Sequence, residues 1–457
     1  MFHLLLASFA ALMGTRVSDF LLDEVVASGI EQSTLQVADS AFQFTVAVAT
    51  IAWGVMVDGF PRQRKVLFVA GNITWIFGGI LLAASPVGVQ TLLAAEVTWG
   101  AGFAALGPIV ASYLGDMFGV NRRGRLFAAY TTILYLIKGS ATAVTGLVGE
   151  ALGDWRYSNL SFALVGAGAM LAFLAKARPP KLGAVEPELV DLLPSYEVNF
   201  RFHRSSVPEV LRTRTNALLL LQGVCGMIGV TIVTRYLSYW FTATNLDGLG
   251  VSTGVAVLFL GAAGAGGALA GILVAGHFVD RQFRSGKHGR ALWFATGCVF
   301  AQVAAYAILL LAPRYSPPTA AAAGDLVSLL SHDPAYVAFL FGFNLATFFG
   351  TPVGTTVGIA RTHANLPEHR GTAAALYDTT DFVGAGVGLL LGAAMLAATG
   401  SYRLVVVLGS TAWLLSGALW VLAARTFGRD WSLARERVGK RAARLVGAGE
   451  KATTKTP

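Results

Sequence analysis

The stretch Gly54-Val-Met-Val-Asp58-Gly-Phe-Pro61-Arg62-Gln-Arg64-Lys65 joins two long apolar segments through a short basic loop. Each flanking segment is about 20 residues long, which is the length of an α-helix that crosses a bilayer. A related stretch, Gly276-His-Phe-Val-Asp280-Arg281, ends another apolar segment 222 residues later. The repeated pattern predicts an all-α polytopic membrane protein built from two similar halves.

The composition supports this fold class. Only 13% of the 457 residues are charged and 55% are hydrophobic, whereas a soluble domain carries roughly 25% charged residues. This excludes an ordinary cytosolic enzyme, a disordered protein and a secreted disulfide scaffold. Cys225 and Cys298 both lie within apolar segments, so they form no disulfide framework.

Twelve apolar segments have the length of membrane-spanning helices. They cover residues 3–28, 36–58, 65–85, 90–118, 124–148, 157–177, 214–242, 251–279, 290–312, 335–360, 371–398 and 402–425. Of the 34 Lys and Arg residues, 28 lie in alternate loops and the C-terminal tail, and the opposite loops hold only Arg156, Arg314 and Arg403. The positive-inside rule therefore predicts that both termini are cytoplasmic. The same bias explains the net charge of +9, so no nucleic-acid partner is expected.

A proline-rich break divides six predicted spans from six. We expect a six-helix bundle over residues 1–177, a cytoplasmic linker over 178–213, a second bundle over 214–425 and a basic tail over 426–457. Further pairs support the duplication, since Arg123-Gly124 opens span 5 and Arg370-Gly371 opens span 11, 247 residues apart. The tail is either a basic amphipathic helix on anionic lipid or a solvated segment.

The duplicated loop resembles the signature of the major facilitator superfamily, and the resemblance covers about residues 3 to 425. The match departs at Gly59, where that family usually has a basic residue, and at Pro61, where it usually has glycine. The resemblance implies alternating access between two bundles, and a latch that joins them when the transporter opens outward. The residues implied in that latch are Gly54, Asp58, Arg62, Arg64, Lys65, Asp116, Arg123, Gly276, Asp280, Arg281 and Arg290.

Asp58 is central to the latch because a carboxylate at the C-terminal end of its helix opposes the helix dipole. Its partner could be Arg62, the basic residues beside Asp116, or the N-terminus of span 11 near Gly371. The alternative is an ordinary solvated loop.

Ionisable side chains inside the spans form the candidate substrate and ion cavity. Each costs about 2.5–3.5 kcal/mol on insertion, so such groups usually face a cavity and act there. The candidates are Arg16, Asp19, Glu96, Lys138, Arg235, Asp378 and Asp381.

Most of these candidates have two interpretations, and Arg235, like Lys138, needs a group that neutralises its charge. Arg16 and Asp19 either pair on one face of span 1 or reach the outer interface. Glu96 stands where the resembled family commonly has arginine in a motif tied to proton coupling, and it is either the proton site, with Lys138 as its partner, or a structural ion-pair partner. Asp378 and Asp381 lie one turn apart, so they share a proton or have a basic partner, unless Asp378 belongs to a polar first helical turn.

These features predict a secondary active transporter in the cytoplasmic (inner or plasma) membrane, moving a small solute by alternating access with protons as the leading coupling ion. The bases within spans favour an anionic or amphiphilic substrate. We expect contact with membrane lipid, no cofactor, no metal, a monomer, and no enzymatic activity. The alternatives are a transporter-like sensor without turnover and a polytopic membrane enzyme, whose active groups should cluster at one interface.

Overall fold

The computed structural model describes residues 32–84, 88–117, 155–178, 206–311 and 316–453, with six isolated positions between 122 and 185. Helices and short connections account for this part of the chain, and it contains no strand. The helices are α1 Gln32–Gly59, α2 Arg64–Ala84, α3 Val89–Phe103, α4 Leu106–Met117, α5 Trp155–Lys176, α6 Ser206–Arg212, α7 Arg214–Thr242, α8 Thr253–Arg284, α9 Gly289–Leu311, α10 Ala320–Ala323, α11 Leu326–His332, α12 Pro334–Ala364, α13 Arg370–Thr399, α14 Tyr402–Ser410 and α15 Ala412–Thr453.

Eight stretches of the described residues are long and apolar enough to cross a membrane. They confirm the all-α polytopic class. The predicted spans 3–28 and 124–148 fall largely or wholly outside the described residues, so the total of twelve stays a prediction.

The fourth predicted span is two helices with a break at Ala104 and Ala105. Pro108 explains the break, because its missing N–H removes the hydrogen bond to the carbonyl of Ala104. Pro352 lies inside α12, which continues without interruption to Ala364. The last span is also divided, at Thr411, between α14 and α15.

We call α1 to α5 the N-half and α7 to α15 the C-half. The halves meet where α13 packs between α1 and α4 on one side and α7 on the other. Gly54 of α1 makes the approach possible, since a β-carbon there would overlap that of Ala375 in α13. Among the described residues, helix α13 makes most of the contacts between the C-half and the N-half.

The C-terminal segment continues the last span as one helix, because α15 runs for 42 residues to Thr453. Beyond the predicted end of the span at 425, Phe427, Ala434 and Val438 are buried. This apolar face packs on the protein, and the basic residues of α15 lie at other positions around the helix.

Candidate functional site

Asp58 ends α1 and lies against the first turn of α13 in the other half. The backbone N–H groups of Gly371 and Thr372 donate to its two carboxylate oxygens, at 3.0 Å and 2.5 Å. The Asp58 side chain is buried, with 4% of its surface exposed. A carboxylate at a helix N-terminus satisfies N–H groups that have no partner within the helix and interacts favourably with the helix dipole. Asp58 thus caps α13 across the boundary between the halves.

Asp116 near the end of α4 joins the same contact through two arginines. Arg64 Nη1 donates to Asp116 Oδ2 at 2.7 Å and to the Ser112 hydroxyl at 2.9 Å, both within the N-half. Arg370 Nη1 of the C-half donates to Asp116 Oδ1 at 3.1 Å. All three charged groups are buried, so the carboxylate compensates two guanidinium groups that would be costly to bury without it.

We define the latch as Asp58, Arg64, Asp116, Arg370 and Gly371, and the end of the molecule where they lie as the latch face. A β-carbon at Gly371 would lie 2.5 Å from Asp58 Oδ1, so only glycine admits the carboxylate to this helix end. In the latch, Asp58 of α1 and Asp116 of α4 each contact the first turn of α13 in the C-half.

A second charged cluster lies two turns further along α13. Arg361 Nη1 donates to Asp378 Oδ1 at 3.3 Å, and 18% and 23% of these two side chains are exposed. Asp381 lies one turn beyond Asp378 and faces α7, where a β-carbon at Gly223 would approach its Oδ1 to 2.6 Å. We call Arg361, Asp378 and Asp381 the inner cluster.

The inner cluster lies at the contact between the halves. Asp378 Oδ2 abuts Gly107 of α4. The Thr379 hydroxyl donates to the carbonyl of Ala47 in α1 at 3.0 Å. A charged cluster in this position can change its surroundings when the halves separate.

A family model described as the Major Facilitator Superfamily matches residues 4–351. The chain belongs to the Major Facilitator Superfamily. It is therefore a multi-pass membrane protein of a family of transporters.

Curated relatives match only part of their own length. The efflux pump dotC of Dothistroma septosporum is 27% identical over 192 residues, which are 41% of this chain and 32% of that protein. The MFS-type transporter ppz2 of Metarhizium majus is 26% identical over 145 residues, 31% of this chain and 24% of that protein. The matched region thus spans about a third or less of these relatives.

Solved structures share the fold over nearly the whole chain. FucP, a transporter of the same superfamily in the outward conformation, has a TM-score of 0.67 and 11% identity, covering 92% of this chain and 97% of that one. A bacterial homologue of the iron transporter ferroportin in an outward-facing state has a TM-score of 0.62 and 14% identity, covering 93% and 98%.

The N-half residues of the superfamily signature that are not in the latch lie elsewhere. Lys65 donates to the carbonyls of Leu174 and Ala177 at 2.7 Å and 3.0 Å, so it joins α2 to the end of α5 within the N-half. Arg62 is exposed beside the latch. Arg123 lies outside the described residues.

The second copy of the signature ends α8. Gly276 and Asp280 are buried, whereas Arg281 and Arg290 are exposed. Arg123-Gly124, which the duplication pairs with Arg370-Gly371, falls outside the described residues.

Two candidate cavity residues lie away from the inner cluster. Glu96 is half-buried in α3, 11 residues before Gly107 and on the other side of the break between α3 and α4. Arg235 is half-buried in α7, 12 residues beyond Gly223, or about 18 Å. Arg16, Asp19 and Lys138 lie outside the described residues.

Arg361 and Arg370 have positions in these clusters that the sequence alone did not predict. Arg361 was expected in a basic loop after a span ending at 360, but α12 continues to Ala364 and turns this side chain toward Asp378. Arg370 was recognised only as a marker of the duplication. The pair of aspartates in α13, which requires a basic neighbour, is the signal that could have found Arg361, whereas Arg370 pairs with Asp116 of α4.

A cavity of about 460 Å³ lies at the latch face between α6, the 364–369 connection and α15. Arg437 of α15 pairs there with Glu209 of α6, and both side chains are about half exposed. His369 lines the cavity, and burial lowers its pKa below the ordinary 6.5, an effect that Glu209 opposes and Arg437 reinforces. The cavity does not include the inner cluster.

Proposed function

We propose that this chain is a secondary active transporter that couples the movement of a small solute to proton movement through the inner cluster, while the latch closes the cytoplasmic side. The observation that carries this proposal is the position of Arg361, Asp378 and Asp381, which form one charged cluster where the two halves touch. A carboxylate at a moving interface meets different surroundings in the two conformations. Its proton or its solute contact can therefore be exchanged with each side in turn.

The two carboxylates can accept a proton, and the guanidinium can hold an anionic group of a solute. This supports the expectation of an anionic or amphiphilic substrate. The relative named an efflux pump makes export the first direction to test.

Asp381→Asn tests the coupling role directly. A thermal-shift screen of the purified chain against metabolites and amphiphilic drugs first supplies a ligand. In proteoliposomes, we then expect Asp381→Asn to abolish accumulation driven by an imposed pH gradient while retaining solute exchange, because exchange requires no net proton movement. Asp325→Asn, at an exposed helix cap, is the matched control and should behave as wild type.

Glu96→Gln in the same assay tests the competing proton site in the N-half. If Asp381→Asn still accumulates solute and Glu96→Gln does not, coupling resides at Glu96 and the inner cluster is structural. If the wild type neither exchanges nor accumulates any ligand that it binds, the chain is a sensor without turnover.

We also propose that the latch face is cytoplasmic, as the distribution of Lys and Arg predicts. Ala321 is exposed in α10 on the connection before α12, and Ser285 is exposed at the latch face. A cysteine at Ala321 should react with an impermeant maleimide in intact cells, and a cysteine at Ser285 should not. Reaction at Ser285 from outside would reverse the orientation.

A further inference from the structure

The approach of Asp378 to Gly107 is unusually close for two groups on different halves. A β-carbon at Gly107 would overlap Asp378 Oδ2, so any other residue at this position would displace the carboxylate. Gly107 has no left-handed backbone torsion that would require glycine. Glycine is therefore required here because the Asp378 carboxylate of the other half leaves no room for a side chain.

Two neighbouring contacts fix α13 against the N-half at the same level. The ring of Phe382 meets the ring of Phe103 edge to face, with centroids 6.3 Å apart. The Thr379 hydroxyl bonds to Ala47 of α1. The carboxylate of Asp378 contacts the N-half on the same stretch of α13, so its fit depends on how closely the halves approach.

Asp381 provides an internal comparison. Its carboxylate also faces a glycine, Gly223, but that glycine lies in α7 of the same half. A rigid-body separation of the halves would leave the Asp381 contact unchanged and would remove the Asp378 contact. Of these two carboxylates, Asp378 is the one that contacts the other half directly.

We propose that Gly107 forms a notch that receives the Asp378 carboxylate only while the latch face is closed, which makes Gly107 a positioning residue for the inner cluster. This inference rests on the proposed transport function. The glycine Cα–H groups can face the carboxylate oxygen in a weak hydrogen bond. When the halves separate, Asp378 keeps Arg361, loses the notch and becomes open to a proton or solute. By linkage, whatever binds Asp378 in the open state also favours opening.

The test measures the distance between spin labels at Gln63 and Ser285, which are exposed at the latch face in the N-half and the C-half. We call these positions the latch-face pair. Both native cysteines are buried, which favours labelling of introduced cysteines. Gly107→Ala adds one methyl group to the notch. Because overpacking is costly, we expect the ratio of open to closed molecules to rise at least about fivefold in lipid nanodiscs without a gradient.

Two variants show whether the effect passes through Asp378. Gly223→Ala makes the same change against Asp381 within one half and should leave the ratio unchanged. In an Asp378→Ser background, where the shorter side chain leaves room for the methyl group, Gly107→Ala should also have no effect. An equal effect with and without Asp378 would overturn the notch, as would an unchanged ratio in the single variant.

Asp378→Glu tests the notch with Gly107 unchanged, so it can be used if Gly107→Ala inserts poorly into the membrane. The additional methylene cannot enter the notch, so opening should increase, whereas Asp381→Glu should not increase it. Equal opening in both variants would contradict the notch. These distances need no gradient or known substrate, so a failure here is distinguishable from a failure of proton coupling in the Asp381→Asn assay.

Discussion

At the scale of a single residue, Asp58 connects the halves by accepting hydrogen bonds from the N-terminus of α13. Asp58→Asn keeps the size of the side chain but removes the charge and one of two acceptor oxygens that bond Gly371 and Thr372. A hydrogen bond to a charged group contributes about 1.5–3 kcal/mol, so we expect the open fraction of the latch-face pair to rise about tenfold. Transport should slow, while insertion and solute binding should persist.

Asp247→Asn is the matched control for this change. Asp247 also caps a helix, accepting from the backbone N–H groups of Tyr402 and Arg403 at 2.7 Å and 3.2 Å, but its partners lie in the same half. Its loss should therefore lower stability without opening the latch face. If both variants leave the distances of the latch-face pair unchanged, the cap at Asp58 has no part in gating.

The sequence indicated some of these residues because their chemistry is local. A carboxylate at the end of an apolar helix needs a partner, and the list of partners considered for Asp58 included Gly371. The distance of 254 residues between Asp116 and Arg370 has no sequence signature, because the contact depends on how α4 and α13 pack. The role of Arg361 could not be predicted for a similar reason. Its helix extends one turn past the predicted span, and its contact with Asp378 depends on how α12 and α13 pack.

At the scale of one element, the packing of helix α15 predicts how substitutions change stability. Its periodic apolar residues are buried beyond the span, which indicates a packed helix and not a loose tail. Val438→Asp places a charge at a position that is 5% exposed and should lower the free energy of unfolding by at least about 2 kcal/mol. Arg437→Ala breaks an exposed ion pair and should cost less than about 1 kcal/mol.

Thermal unfolding followed by size-exclusion chromatography compares the two variants of α15. A clear loss for Val438→Asp with little change for Arg437→Ala fits a helix held by its apolar face. Equal and small effects would mean that this part of α15 does not contribute to folding of the C-half.

At the scale of the whole molecule, the all-α class and the membrane environment followed from composition and from apolar segments about 20 residues long. Composition and segment length do not identify the coupling residue, because Glu96 and Asp381 are both carboxylates in apolar helices. Their positions differ, since Asp381 shares a cluster with Asp378 beside the N-half, whereas Glu96 lies in α3, across the helix break from Gly107 of α4.

Alternating access between the halves is tested most directly by measuring two distances on the same protein. The latch-face pair reports one end, and labels at Val89 and Thr244, exposed in the N-half and the C-half at the other end, report the second. Alternating access predicts opposite changes, so that Asp58→Asn lengthens the first distance and shortens the second in nanodiscs. A single population at both pairs, or distances that lengthen together, would contradict it.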